Sequence, residues 1–118
     1  MVTLSDLRVV LLDLSQPIAK RTHAAFKLRT SATAECASVI AEALLNTQDS
    51  SLMRHELAYI LGQKQFKHIC NILIQILEDE SEDLLVRHEC AEVCISYCIL
   101  TLLKFFIISA VGIRSYWS

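Results

Sequence analysis

Two dipeptides hold the residue types best able to do chemistry in this chain: His55-Glu56 and, 33 residues later, His88-Glu89. Imidazole nitrogen and carboxylate oxygen, without thiolate, suit iron, manganese or zinc. Residues i and i+1 of a helix point about 100° apart. One such dipeptide therefore chelates a single ion poorly and is better suited to touching two neighbouring ions. A lone His-Glu pair is most often the polar edge of a helix start. Here the neighbours recur as well, since Arg54-His55-Glu56-Leu57-Ala58 is answered by Arg87-His88-Glu89-Cys90-Ala91. Thr22-His23 occupies the equivalent place one repeat earlier, so the scaffold does not itself require the pair. Two pairs supply four groups, whereas a carboxylate-bridged di-iron centre commonly uses about six protein ligands. On count alone the chain offers half of such a site.

The elements that must position these residues are helices. Thr3-Leu4-Ser5-Asp6 reads as a helix start, and Leu4, Leu7, Val10, Leu11 and Leu14 follow at helical spacing. Pro17 opens a second helix, where its missing N–H does no harm, and Arg29-Thr30-Ser31 breaks it. A third helix is predicted from about Ala34 to Leu45 and a fourth from about Leu52 to Leu61, stopping at Gly62. A fifth runs from about Phe66 to Leu77, and a sixth begins near Leu84 after the acidic run 78–83. That run reads as a solvated loop whose charge favours the next helix start.

Shifted by 33 residues, the helices superimpose. Arg21, Arg54 and Arg87 align, as do Ala25, Ala58 and Ala91, then Leu11, Leu44 and Leu77, and also Asp13, Asn46 and Asp79. A helix pair repeated three times predicts an all-α solenoid. The Trp-Leu-Gly-Tyr pattern of tetratricopeptide repeats and the Thr-Pro-Leu-His start of ankyrin repeats are missing, which leaves a HEAT-like class. The His-Glu pairs then start neighbouring stacked helices, whose axes lie roughly 8–10 Å apart, and project to one surface.

Composition narrows the remaining possibilities. A length of 118 residues allows one domain. A net charge of −2 gives no reason to expect nucleic acid as a partner. Two glycines and one proline argue against a turn-rich β domain. The first fourteen residues contain Asp6, Arg8 and Asp13 and lack the layout of a signal peptide. Five cysteines read as reduced thiols of a cytoplasmic protein. Cys90, Cys94 and Cys98 stack on one helical face, where apolar packing is a better account than zinc ligation.

Arg54 to Gln63 together with Val86 to Glu92, supported by Phe26-Lys27-Leu28-Arg29 and Ile76-Leu77-Glu78-Asp79, resemble the N-terminal half of the deoxyhypusine hydroxylase family over 1–93. The resemblance implies a HEAT-like superhelix of two symmetric halves, each bringing two His-Glu motifs to a non-haem di-iron (Fe2+) centre. It implies a monooxygenase that hydroxylates the deoxyhypusine side chain of translation initiation factor 5A, completing hypusine. By motif, His55, Glu56, His88 and Glu89 would be iron ligands, and no further catalytic residue is implied. An acidic rim of Glu80, Glu82 and Asp83 could attract the cationic substrate side chain. With two of four motifs, the chain is expected to be a shortened form that holds part of the site and is not active alone, unless a homodimer rebuilds it. The alternative is a non-catalytic HEAT-like interaction module.

The remainder, 94–118, departs from the repeat and is expected to form an apolar C-terminal helix. Residues 93–113 carry one charge, Lys104, and are long enough to span a bilayer. Arg114, Tyr116 and Trp117 follow, as residues of a membrane interface would. A membrane anchor and a hydrophobic cap over the open end of the solenoid are two readings. A divergent tail from splicing or a gene-model error is the third. The lack of any repeat signature favours that third reading, and a central lysine counts against the anchor.

Overall fold

A computed structural model describes residues 1–31, 33–64 and 67–111. Among the described residues six helices follow one another: α1 (Leu4–Leu12), α2 (Ile18–Arg29), α3 (Ala34–Leu44), α4 (Ser51–Lys64), α5 (Lys67–Glu78) and α6 (Leu84–Val111). Phe66, at which the fifth helix is predicted to begin, and Arg114, Tyr116 and Trp117 lie outside the described residues.

Local chemistry sets the helix starts. Thr3 and Asp6 close a reciprocal capping box on α1. Thr33 accepts from the backbone N–H of Cys36, and Ser50 from that of Met53. Asp83 Oδ1 accepts from the backbone N–H of Leu85 and Val86, so the acidic run supplies the cap of α6. The turns repeat too. Asp13, Asn46 and Asp79 each accept, through the side chain, the backbone N–H two residues on, at Ser15, Gln48 and Ser81. Asx turns thus recur at the 33-residue interval and fold each helix pair back on itself.

The pairs α1–α2, α3–α4 and α5–α6 stack in two layers, with α2, α4 and α6 in one and α1, α3 and α5 in the other. The core runs continuously through Leu11, Leu28, Ile40, Leu44, Leu57, Leu61, Leu73 and Val86. Such a stack is elongated. The radius of gyration is 15.8 Å, against about 13.5 Å for a compact domain of this length.

Each repeat is tied to the next by a buried arginine. Arg21 donates to the carbonyl of Leu11 at the end of α1 and to Asp49 in the following turn. Arg54 does the same with the carbonyl of Leu44 and with Glu82. The two are 4% and 2% exposed. A guanidinium suits this place because its fork satisfies a helix-end carbonyl and a carboxylate together.

Two expectations are corrected. Gly62 does not end α4, which continues to Lys64. A Cβ at Gly62 would come within 2.6 Å of a Val93 methyl group on α6. The glycine is there to let α4 and α6 approach closely, and Lys64 beyond it donates to the carbonyls of Leu28, Arg29 and Ser31 at the end of α2. The apolar tail is not a separate helix either. No glycine or proline interrupts residues 84–111, so α6 passes Val93 without a break and runs for 28 residues. It does not fold back as a cap, since residues 103–107 are all exposed. Among the described residues no helix is long and apolar enough to cross a membrane.

Candidate metal centre

The His-Glu pairs of the two motifs stand in the second turns of α4 and α6, which pack side by side. Their arginines point inward to the helix-end carbonyls, and this fixes the rotation of each helix about its axis. His55 and Glu89 then meet across the seam, with Nε2 and Oε2 2.9 Å apart. The Glu89 side chain is 8% exposed, while that of His55 is 25% exposed. His88 turns outward. Its Nε2 lies 3.1 Å from Glu92, one turn further along the same helix, and both side chains are mostly exposed. Glu56, about 100° round α4 from His55, opens on another groove. That groove, of about 350 Å³, lies between α2 and α4 and is walled by Ile18, Phe26, Met53 and Ile60.

The structure therefore brings together two of the four predicted residues, His55 and Glu89, one from each motif. Among the described residues, no three His, Cys, Asp or Glu side chains come close enough to hold an ion together. Within the pair, however, the donor set fits a first-row metal. Two adjacent ligands on such an ion, each about 2.1 Å from it, stand about 3 Å apart, which is also hydrogen-bond distance. His55 Nδ1 is buried without a hydrogen-bond partner among the described residues. An unpaired buried nitrogen is costly, but it is the ring's other nitrogen, Nε2, that faces Glu89, so Nδ1 is not the atom that an ion between the pair would take.

Neighbouring groups have other tasks. Glu82, proposed for a substrate-attracting rim, is instead the partner of Arg54, whose hydrogen bond lowers its carboxyl below the ordinary range. Asp83 takes the Ser51 hydroxyl as well as capping α6, and its carboxyl is lowered chiefly by that hydroxyl. Glu80 is exposed. Cys90, next to Glu89, faces the core, and burial pushes its thiol up to about 12. It stays protonated and packs as an apolar group, which a thiolate zinc ligand cannot do. The side chain of Cys98 lies outside the described residues. Sequence reasoning missed Glu92 and the arginine–acid pairs. The latter had a signal, since Asp49 and Glu82 are themselves 33 residues apart.

No protein-family model matches the chain. Curated relatives do. It is 41% identical over 90 residues to the deoxyhypusine hydroxylase of Drosophila melanogaster, a match covering 76% of this chain and 29% of that protein. The figures are 42% over 89 residues for the Bos taurus protein (75% and 29%) and 43% over 86 for the Homo sapiens protein (73% and 28%). A solved structure of human deoxyhypusine hydroxylase in complex with glycerol superimposes with a TM-score of 0.69 at 35% identity. That match covers 75% of this chain and 30% of the other. The chain thus spans less than a third of the length of the relatives it matches. Over three quarters of its own length, this chain is a relative of the deoxyhypusine hydroxylases.

Proposed function

We propose that this chain supplies part of the metal centre of a deoxyhypusine monooxygenase, acting on the deoxyhypusine side chain of translation initiation factor 5A. The observation that carries the reading is the His55–Glu89 pair, whose Nε2 and Oε2 stand 2.9 Å apart across two repeats, with the Glu89 side chain withdrawn from solvent. His55 and Glu89 would hold iron. His88, exposed at the start of α6, is the third candidate ligand and would have to leave Glu92 to join them. When bound, iron in such a nitrogen and oxygen environment supplies the dioxygen chemistry that hydroxylation of an alkyl chain needs.

The other residues do the positioning. Arg54 and Arg87 set the rotation of α4 and α6 by holding the carbonyls of Leu44 and Leu77. Gly62 lets the two helices close together on Val93. The placement of Glu56 supports a task other than ligation. Its carboxylate edges an apolar groove, an arrangement that fits an aliphatic side chain bearing a positive charge. Ligands that are too few for a di-iron site in one chain agree with a chain that spans less than a third of its relatives.

The test is anaerobic titration of the purified chain with ferrous iron or cobalt(II), read by calorimetry and by the cobalt absorption bands. Saturable binding that is lost in the His55→Ala variant is the expected result. Binding that persists when His55→Ala and His88→Ala are combined refutes the metal reading. The chain is then a helical interaction module, the reading favoured by the lack of any three-residue metal cluster among the described residues.

A further inference from the structure

The first part of α6 packs against α4 and α5, with Val86, Cys90 and Val93 turned towards the core. Beyond it the helix leaves the solenoid as an arm on which Leu103, Lys104, Phe105, Phe106 and Ile107 are all exposed. Ile95, Ile99, Leu103 and Phe106 are spaced four, four and three residues apart. On a helix they fall within about 80° of one another. They make one apolar stripe, flanked by Leu100 and Ile107, and these six side chains are between 37% and 65% exposed.

We infer that this stripe is a self-association surface, on which the arm of a second copy of the chain lies antiparallel to the first. The area fits. Six large apolar side chains exposed to that degree present on the order of 600 Å² per copy, most of the roughly 800 Å² that each partner contributes to a standard stable interface. The spacing fits, because residues repeating every three and four positions form the seam along which two helices pack. The charge distribution fits a like partner. Lys104 is the arm's one charged residue and stands about 140° round the helix from the centre of the stripe, so two copies meet without burying like charges. Antiparallel pairing also sends the two solenoid bodies to opposite ends of the joint, whereas parallel pairing would set them side by side against the arms. A two-fold axis makes the contact closed and self-complementary.

The full chain is measured by light scattering on a sizing column and by sedimentation equilibrium, with and without neutral phosphatidylcholine vesicles. The expected species has twice the 13.3 kDa chain mass, in concentration-dependent exchange with the monomer. Ile99→Glu with Phe106→Glu is expected to give the single-chain mass with unchanged far-UV circular dichroism, because neither side chain belongs to the core. Ile99→Leu, which keeps the stripe, should leave the dimer in place. Spin labels at Ser109 should lie far apart across an antiparallel joint and close together across a parallel one. A monomer at high micromolar concentration overturns the proposal. So do aggregates that the double substitution does not dissolve, a parallel label distance, or co-sedimentation of the monomer with vesicles.

Discussion

The second and third repeats carry the same motif and treat it differently. Arg54 is buried and held by the carbonyl of Leu44 and by Glu82 from the next repeat. Arg87 reaches the equivalent carbonyl, that of Leu77, and is only partly buried. The histidines diverge in the same direction. His55, one quarter exposed, meets Glu89 from the next repeat, while His88, about two thirds exposed, meets Glu92 on its own helix. In the second repeat the partners come from about 28 to 34 residues downstream: Glu82 for Arg54, Asp83 for Ser51 and Glu89 for His55. A solenoid makes each unit depend on the one after it. The motif has one meaning where a following repeat is packed against it and another where the neighbour is its own helix.

The strongest way to break this comparison is to remove the two arginines in turn. Arg54→Met leaves Glu82 and the Leu44 carbonyl buried without their partner and should cost about 3–5 kcal/mol in urea unfolding. Arg87→Met should cost only about 1 kcal/mol, near the worth of an ordinary hydrogen bond. Equal losses would mean that the two layers are equivalent after all.

The histidine pairs separate by metal affinity. Glu89→Gln should weaken cobalt(II) binding on the order of 10- to 100-fold, and Glu92→Gln should change it by less than about threefold, as read by calorimetry. The reverse order would assign the centre to the outer pair.

A smaller effect tests the seam between the repeats. Gly62→Ala improves helix propensity by up to about 1 kcal/mol but forces a methyl group against Val93. A net loss of about 1–2 kcal/mol is expected, as for overpacking elsewhere. Adding Val93→Ala should restore part of it. A thermal melt that rises with Gly62→Ala alone would show that the close approach is not needed.

The smallest effect is the pH dependence of the Arg54–Glu82 pair. The Glu82 carboxyl is lowered in the folded chain, first by its hydrogen bond from Arg54. Its stabilisation is therefore complete above the ordinary glutamate range and is lost as pH falls through the lowered value. The urea midpoint of the parent chain should drop between about pH 5 and about pH 3, and that of Glu82→Gln should drop less. Parallel curves would remove the pair from the acid response.

Much of this molecule is written locally. Helix starts at Thr3, Thr33 and Ser50, the Asx turns at Asp13, Asn46 and Asp79, and the 33-residue period each depend on residues within a turn or two of one another. They specified six helices, three hairpins and a HEAT-like stack, along with the relationship to deoxyhypusine hydroxylases. Gly62 was misleading because a glycine that ends a helix and one that admits a neighbouring helix look alike until Val93 is in place. The apolar run after Val93 was misleading because a change of sequence character need not bring a change of backbone.

The sequence by itself determined the helices, their repeat and the side chains that the site would draw on. Only the tertiary structure decided which of those side chains meet. Neighbours in a His-Glu dipeptide diverge by about 100° on a helix, so at most one can face a given seam. That choice depends on how each helix is rotated, which Arg54, Arg87 and the Gly62–Val93 contact fix from outside the motif. His55 and Glu89 therefore share a site across two repeats, while Glu56 and His88 open elsewhere.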